Sequence, residues 1–421
     1  MPSRRSDKVS VESSVYAPNN QNSLTVPDKE ADPLAFDKAV MALAGSPDDK
    51  PPVTTVATLD ELRGLEPTAA AQIAVVTAYN PGTQSGGGVF IYDVSDKSTA
   101  DDFGVNIVTA AGARWKRHLD DYRELTVLDF GAIPGGTTDT AEAVMRMWNW
   151  SQKYRPGIGI QFPAGKFMLS KFDIASQEVT RFRVAGDTVA FGSSPATTLV
   201  SDQQDGEVMF NVNARYTEIT GLIVDGESTP AAKNTKGFYK NSLEAGQFIR
   251  VSDVRFYNLG GKGLSLLDTL DCKIDQWHAR ECSDSVIYGT WSDTPQGQWD
   301  HMTGIELSNF TLQRSKEKPA IDLQRATQSF IWNGRIEHSE FPGNLSNGEW
   351  SFRGLTIEAC DRPMACHYAC IDNMQVNEQG ESRFDFSASG ESWSAVPEEG
   401  KGNVHFENKL MRSTDRTITT L

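Results

Sequence analysis

The chain has 421 residues with 40 Lys and Arg against 56 Asp and Glu, a net charge of -16 that argues against a nucleic-acid footprint. The acidic surplus serves solubility first and leaves room for a local basic patch that could meet an anionic glycan. The start Met1-Pro-Ser-Arg-Arg-Ser-Asp7 has no apolar run behind it, so neither a secretory signal nor a membrane span is expected in these residues.

Residues 1–52 are rich in Ser, Asn, Asp and Pro, interrupted by an amphipathic piece from Leu34 to Leu43, and read as a flexible N-terminal arm. Residues 53–120 read as a small α+β module. Thr58-Leu-Asp-Glu-Leu62 has a helix cap with early carboxylates. Ile73 to Tyr79 is β-branched and strand-like, Gly86-Gly-Gly-Val-Phe-Ile-Tyr92 reads as a glycine turn feeding a strand, and Val105 to Arg117 closes the module. No helix follows those glycines, which argues against a phosphate cradle.

Residues 121–158 contribute a strand and then a capping helix. Thr138 or Asp139 can cap it, and Ala143, Val144, Met147 and Trp148 form an apolar stripe at helical spacing. Such a helix would cover the apolar core and the strand edges at the open end of a stacked array.

From 159 to 421 one short pattern keeps returning. Ile219-Thr-Gly-Leu222-Ile-Val224 is matched by Val251 to Phe256, Ile274 to Ala279, Leu307 to Leu312, Phe352 to Ile357 and Ile371 to Val376, and more loosely by Ile331 to Ile336. The third position reads Gly, Asp, Gln, Asn, Asn, Gly, Asn, mostly residues that tolerate a left-handed bend. Gly263 to Ile274 also lies over Ala320 to Ile331 without a gap, matching Leu264 and Leu266 with Ile321 and Leu323. Alternation kept from coil to coil is what stacked parallel strands require, and the fold class is all-β: a right-handed parallel β-helix with an N-terminal capping helix and a small α+β leading module. Coils run to about Val376, and the polar tail carries strand-like pieces at Arg383 to Phe386 and Asn403 to Phe406. No closing cap is visible there, as a truncated form of a longer β-helix would show. Cys272, Cys282, Cys360, Cys366 and Cys370 lack metal spacing and read as small core residues. No cofactor or metal ion is expected.

The run Gly86 to Phe90, Asp102 to Val108 and Gly112 to Arg117 resembles a module that precedes many phage tailspike β-helices. Val127-Leu-Asp-Phe-Gly-Ala132, Thr137-Thr-Asp-Thr-Ala-Glu-Ala143 and Phe162-Pro-Ala-Gly165 resemble the opening motifs of the pectate-lyase-like family. Pro134-Gly135-Gly136 replaces that family's Gly-Asp-Gly turn and one Asp of its cap is missing, which leaves this turn a structural role. The resemblance implies a polysaccharide depolymerase, either a phage tailspike or a tailspike-like bacterial protein that processes exopolysaccharide. It implies a homotrimer acting on bacterial polysaccharide, extracellular or on a virion tail, or else secreted or periplasmic with its signal absent from this sequence.

Glycoside hydrolysis needs two carboxylates, about 5 Å apart for retention and roughly 6.5–9.5 Å apart for inversion. The position after each repeat's last apolar residue reads Asp225, Tyr257, Arg280, Gln313, Glu337, Glu358, Asn377, which makes Glu337 and Glu358 stacked neighbours. Candidate catalytic residues are therefore Glu337, Glu358, Asp322 and Glu340, with Asp268 and Asp300 in reserve. Trp299, Trp291, Trp332, His338 and Arg335 are candidate substrate contacts, because aromatic faces suit the CH-rich faces of sugars. The expected activity is endo-acting glycoside hydrolysis of a capsular or exopolysaccharide. The alternatives are a polysaccharide lyase and a non-catalytic glycan-binding β-helix.

Overall fold

The structure, a computed structural model, describes residues 51–177, 179–187, 196–201, 208–227, 236–240, 246–291, 301–362, 364–372, 374–377 and, within the C-terminal region, 384–388, 391–395, 404–406, 409–412 and 415–420. The arm with its Leu34 to Leu43 piece, Trp299 and Asp300 lie outside these residues.

The leading module is a five-stranded sheet in the order β1-β2-β3-β5-β4, formed by β1 (Val53–Thr58), β2 (Ile73–Ala78), β3 (Gly86–Tyr92), β4 (Asn106–Val108) and β5 (Arg114–Arg117). The first two strands are parallel because helix α1 (Leu59–Gly64) crosses between them; the other pairs are antiparallel. Thr58 caps α1 by accepting the Glu61 N–H at 3.2 Å, and Leu59 and Leu62 are buried beneath the sheet with Phe90, Ile107 and Trp115.

The glycines of β3 form strand rather than turn, and the reason is close approach. The Arg117 guanidinium lies buried across them, donating to the carbonyls of Gly87 at 2.7 Å, Gly86 at 3.1 Å and Gly104 at 2.9 Å. A Cβ on Gly88 would stand 2.4 Å from its Nη1. The same guanidinium meets the Asp129 carboxylate at 3.0 Å, so one buried cation joins the module to the segment that opens the β-helix.

That segment, Val127–Phe130, is a 3-10 turn where a strand was expected. Asp129 accepts the Thr126 N–H at 2.9 Å while Thr126 accepts that of Leu128 at 3.3 Å, and Gly131 at φ 102 ends the turn. This reciprocal capping closes the backbone locally and removes it from any sheet. Helix α2 (Ala141–Tyr154) follows, with Ala143, Val144, Met147 and Trp148 buried. Trp148 sets its ring against Phe182 at 5.5 Å and Phe172 at 6.0 Å in the first coils. The residue before the helix is Thr140, not Thr138 or Asp139. Its hydroxyl donates to the Met168 carbonyl at 2.6 Å, while Asp139 accepts the N–H groups of Ala141 and Ser170, tying the helix start to the first coil.

The remainder is a parallel β-helix. Ile219 pairs with Val251, Val251 with Ile274, Ile274 with Leu307, Leu307 with Ile331, Ile331 with Phe352 and Phe352 with Ile371. Stacked partners are 32 residues apart at Thr220 and Ser252, 33 at Asp275 and Ser308 and 24 at Asn309 and Asn333, so loops of different length leave the register intact. Leu264 and Ile321 share one column, with Ile287 of the intervening coil between them. At the third repeat position Gly221, Asp253, Gln276, Asn309, Asn333 and Gly354 all have φ between 47 and 70. The loose repeat has a packing cause. A Cβ on Gly334 would stand 2.4 Å from the Phe310 ring, which reaches across from the coil below and stacks on Trp277 with centroids 4.4 Å apart.

Cys272, Cys282, Cys360 and Cys366 are buried, and burial pushes the Cys282 thiol up to about 12. They pack as hydrophobes. Phe384–Ala388 still pairs in parallel with Met364–Asp372, and beyond it the pairing turns antiparallel: Val404–Phe406 lies on Met374–Asn377 and Lys409–Arg412 on Met364–Asp372. The tail therefore continues the sheet at the end of the array.

Candidate functional site

A coil turns once at the repeat's third position and again just beyond its last apolar residue. Between the two corners every second side chain faces out, giving two outward columns about 4.8 Å apart from coil to coil. The first contains Arg255, His278, Thr311, Arg335 and Thr356, and the second Tyr257, Arg280, Gln313, Glu337 and Glu358. Glu337 and Glu358 are register partners on one flank.

Glu337 is only 5% exposed. It accepts from Gln313 Nε2 at 3.1 Å and pairs with Arg335 Nε at 2.9 Å. The same guanidinium reaches Glu358 at 3.6 Å. Arg335, more than half exposed, thus bridges two carboxylates carried by neighbouring coils.

On the same flank, in the coils that precede them, lies a cavity of about 690 Å³ lined by Tyr257, Asn258, His278, Arg280, Glu281 and Lys316 among others. Tyr257 Oη and His278 Nδ1 are 2.9 Å apart. Burial lowers the proton affinity of His278, and the charges of Arg255 and Arg280 lower it further, which favours a neutral imidazole. Glu281 gathers three cations: Arg280 at 3.7 Å, Arg314 at 3.2 Å and Lys316 at 3.5 Å. Burial pushes its carboxyl up, but Arg314 and Lys316 outweigh burial and hold it below the usual range.

The other expected residues are distributed differently. Glu340 lies in the turn after Glu337, accepting the Glu317 N–H at 2.9 Å and meeting Arg362 at 3.4 Å. Asp322 sits round the corner, in register with Tyr288, where burial raises its proton affinity against the opposing Gln324 hydrogen bond and Lys262 charge. The chain joins these two faces through residues 281–286. His338 is exposed at the left-handed corner between Glu337 and Ser339. Trp332 is 41% exposed and packs edge-on against Phe330 at 5.9 Å. It lies on the face before the Asn333 corner, so the fold does not bring it to the Glu337 flank.

Two expectations fail. Trp291 is 5% exposed and belongs to the hydrophobic core, so it is no sugar platform. Asp268 is fully buried, with its N–H donated to the Thr290 carbonyl. Each lies at the edge of an alternating stretch, where a one-residue change of phase exchanges inside for outside.

Sequence reasoning missed Glu281, Tyr257 and His278 as a group. The signal for Glu281 was the position one place beyond the column headed by Tyr257. That position holds Asn258, Glu281, Arg314 and His338, each donating its N–H to the last strand residue of the next coil. Among the described residues no cluster of His, Cys, Asp and Glu could hold a metal ion, and no helix is long and apolar enough to cross a membrane.

Known proteins agree with this architecture. Residues 55–120 match the phage tail protein small four-stranded β-sheet domain. The amylovoran biosynthesis protein AmsF of Erwinia amylovora is 41% identical over 349 residues, 83% of this chain and 46% of its own length. The Mu-like prophage FluMu defective tail fiber protein of Haemophilus influenzae is 42% identical over 81 residues, 19% of this chain and 13% of its own. The solved structure of Pantoea stewartii WceF is described as a glycan biofilm modifying enzyme with a bacteriophage tailspike-like parallel β-helix fold. It superposes with a TM-score of 0.74 at 39% identity, over 81% of this chain and 49% of its own. The gp42 tailspike of Acinetobacter phage vb_AbaP_AS12, 13% identical with a TM-score of 0.50 over 80% of this chain and 65% of its own, shares the fold alone. The chain spans about half the length of AmsF and of WceF. With its coils in register and a phage-tail module at its head, the chain has the bacteriophage tailspike-like parallel β-helix fold described for WceF.

Proposed function

We propose that the chain is an endo-acting glycoside hydrolase that cleaves a bacterial exopolysaccharide lying along the Tyr257–Glu358 flank. It acts outside the cell as a homotrimer, by resemblance to tailspikes. The observation that carries this reading is the register pairing of Glu337 with Glu358 on a flank that also carries an open cavity. Adjacent coils set carboxylates near the separation of about 5 Å that suits retention, one as nucleophile and the other as acid. Arg335 satisfies both in the free protein. A sugar that takes over Arg335 leaves two like charges one coil apart, the condition that raises the proton affinity of one of them. The similarity to AmsF, named for amylovoran biosynthesis, and to WceF, described as modifying a glycan biofilm, supports an exopolysaccharide as substrate.

Purified bacterial polysaccharides, followed by viscosity and new reducing ends, test the reading. Glu337→Gln and Glu358→Gln should each lower the rate by about 10²–10⁴-fold while the protein stays folded. Full activity in both variants would remove the pair from the mechanism, and light scattering at the mass of one chain would remove the trimer.

A second reading has its own support. The Tyr257–His278 contact beside Arg280 and Lys316 places a neutral base and a phenol next to cations that could neutralise a uronate carboxylate, as β-elimination requires. Product absorbing near 232 nm would mark a lyase. Binding without any cleavage would mark a glycan-gripping module.

A further inference from the structure

The cavity carries more positive charge than its own carboxylates answer, on a chain whose overall charge is -16. Glu281 is the carboxylate in its lining, and three cations converge on it within 4 Å: Arg280, Arg314 and Lys316. The carboxylates before and after it in the adjacent column already have partners, Asp225 in Asn258 at 2.9 Å and Glu337 in Gln313 and Arg335. Burial first, and then the charges of Arg255 and Arg280, lower the proton affinity of His278 on this wall, against the opposing Gln313 hydrogen bond and Glu337 charge.

A protein that only needed to close this corner would gain nothing from three long cations around one acid. Exposed ion pairs of this kind stabilise a fold little, and the surplus charges repel each other. Arg280, Arg314 and Lys316 are each about half exposed or more, so their charged ends remain open to a solute. Asn258 and Tyr257 add an amide and a phenol at the same rim, groups that hydrogen-bond sugar hydroxyls.

We infer that this cavity is an anion subsite for a glycan whose repeat carries a carboxylate, with Arg280 and Lys316 as the groups that receive it. The inference rests on the flank being a glycan site, and it names the class of glycan. The carboxylate can belong to a uronic acid or to a pyruvate acetal on a neutral sugar, since both present two oxygens to paired cations.

Binding, measured apart from cleavage, tests it. The full chain is titrated by calorimetry with polygalacturonate and alginate for the uronate source, succinoglycan for the pyruvate source, and dextran and carboxyl-reduced alginate as neutral counterparts. At least one acidic glycan should bind, with affinity falling as salt rises, and its neutral counterpart should not. Arg280→Gln and Lys316→Gln should each weaken that binding about tenfold, the loss of one charge-assisted hydrogen bond. Lys273→Gln, on the other face and paired with Glu306 at 3.0 Å, should leave it unchanged. Equal binding of carboxyl-reduced glycan, no effect of either cavity variant, or no acidic glycan bound at all would each overturn the inference. Loss of cleavage with acidic binding intact would instead count against the hydrolase alone.

Discussion

The two corners of each coil solve the same geometric problem with different residues. At the first, Gly221, Asp253, Gln276, Asn309, Asn333 and Gly354 take left-handed backbone, and their neighbours join them down the axis. Asn333 donates to Asn309 at 2.8 Å, Asn309 to Asp275 at 2.7 Å, and Ser308 to the same carboxylate at 2.8 Å. At the second corner Asn258, Glu281, Arg314, His338 and Ala359 take the same conformation, with φ from 51 to 57. An ordinary L-residue there costs roughly 1–2 kcal/mol, while Asn and Gly adopt it readily. The amide corner is built for stacking. The charged corner accepts strain in order to present side chains, and strain gathers where a surface has a task.

Removing Trp277, which stands next to the amide corner and stacks on Phe310, should have the largest effect. Trp277→Ala should cost about 3–5 kcal/mol in urea unfolding. A loss below about 1 kcal/mol would mean that the stacked rings do not hold these coils together.

Asn309→Ala deletes hydrogen bonds to both neighbouring coils and leaves a less tolerant residue in the left-handed bend, for an expected loss of about 1–3 kcal/mol. Arg314→Gly should do the reverse at the other corner. Glycine relieves the backbone, so the melting temperature should hold or rise by the equivalent of about 1 kcal/mol while glycan binding weakens. If both variants destabilise alike, the distinction between the corners fails.

His278 gives the smallest effect and a definite sign. Its folded proton affinity is depressed, so below the ordinary value of 6.5 the unfolded chain binds the extra proton. Stability is therefore complete above pH 6.5 and declines as the pH falls below it. His278→Asn should flatten the melting temperature between pH 7 and 5 relative to the parent. An unchanged slope would place the titration elsewhere.

The repeat was legible in the chain because alternation and tolerant turn residues are local properties. Ile219, Val251, Ile274, Leu307, Ile331 and Phe352 stand in one column in the order their spacing implies. The stacking of Glu337 on Glu358 followed from the same count, since a column's neighbours are fixed once the coil is fixed. Val127–Phe130 was less legible, because a side-chain to backbone capping contact overrode strand-like composition. Trp291 and Asp268 were misplaced because burial at the end of a strand depends on how the chain leaves the coil.

The amino-acid sequence alone thus determined the coil, its register and the pair of acidic neighbours on one flank, since parallel stacking turns spacing along the chain into position along an axis. Only the tertiary structure decided that Tyr257, His278, Arg280, Glu281 and Lys316 meet around one cavity, and that Asp322 and Trp332 face other ways. The reason is angular. A corner's bend and the length of the loop beyond it set the direction of each outward side chain, and neither is written in the alternation that builds the strands.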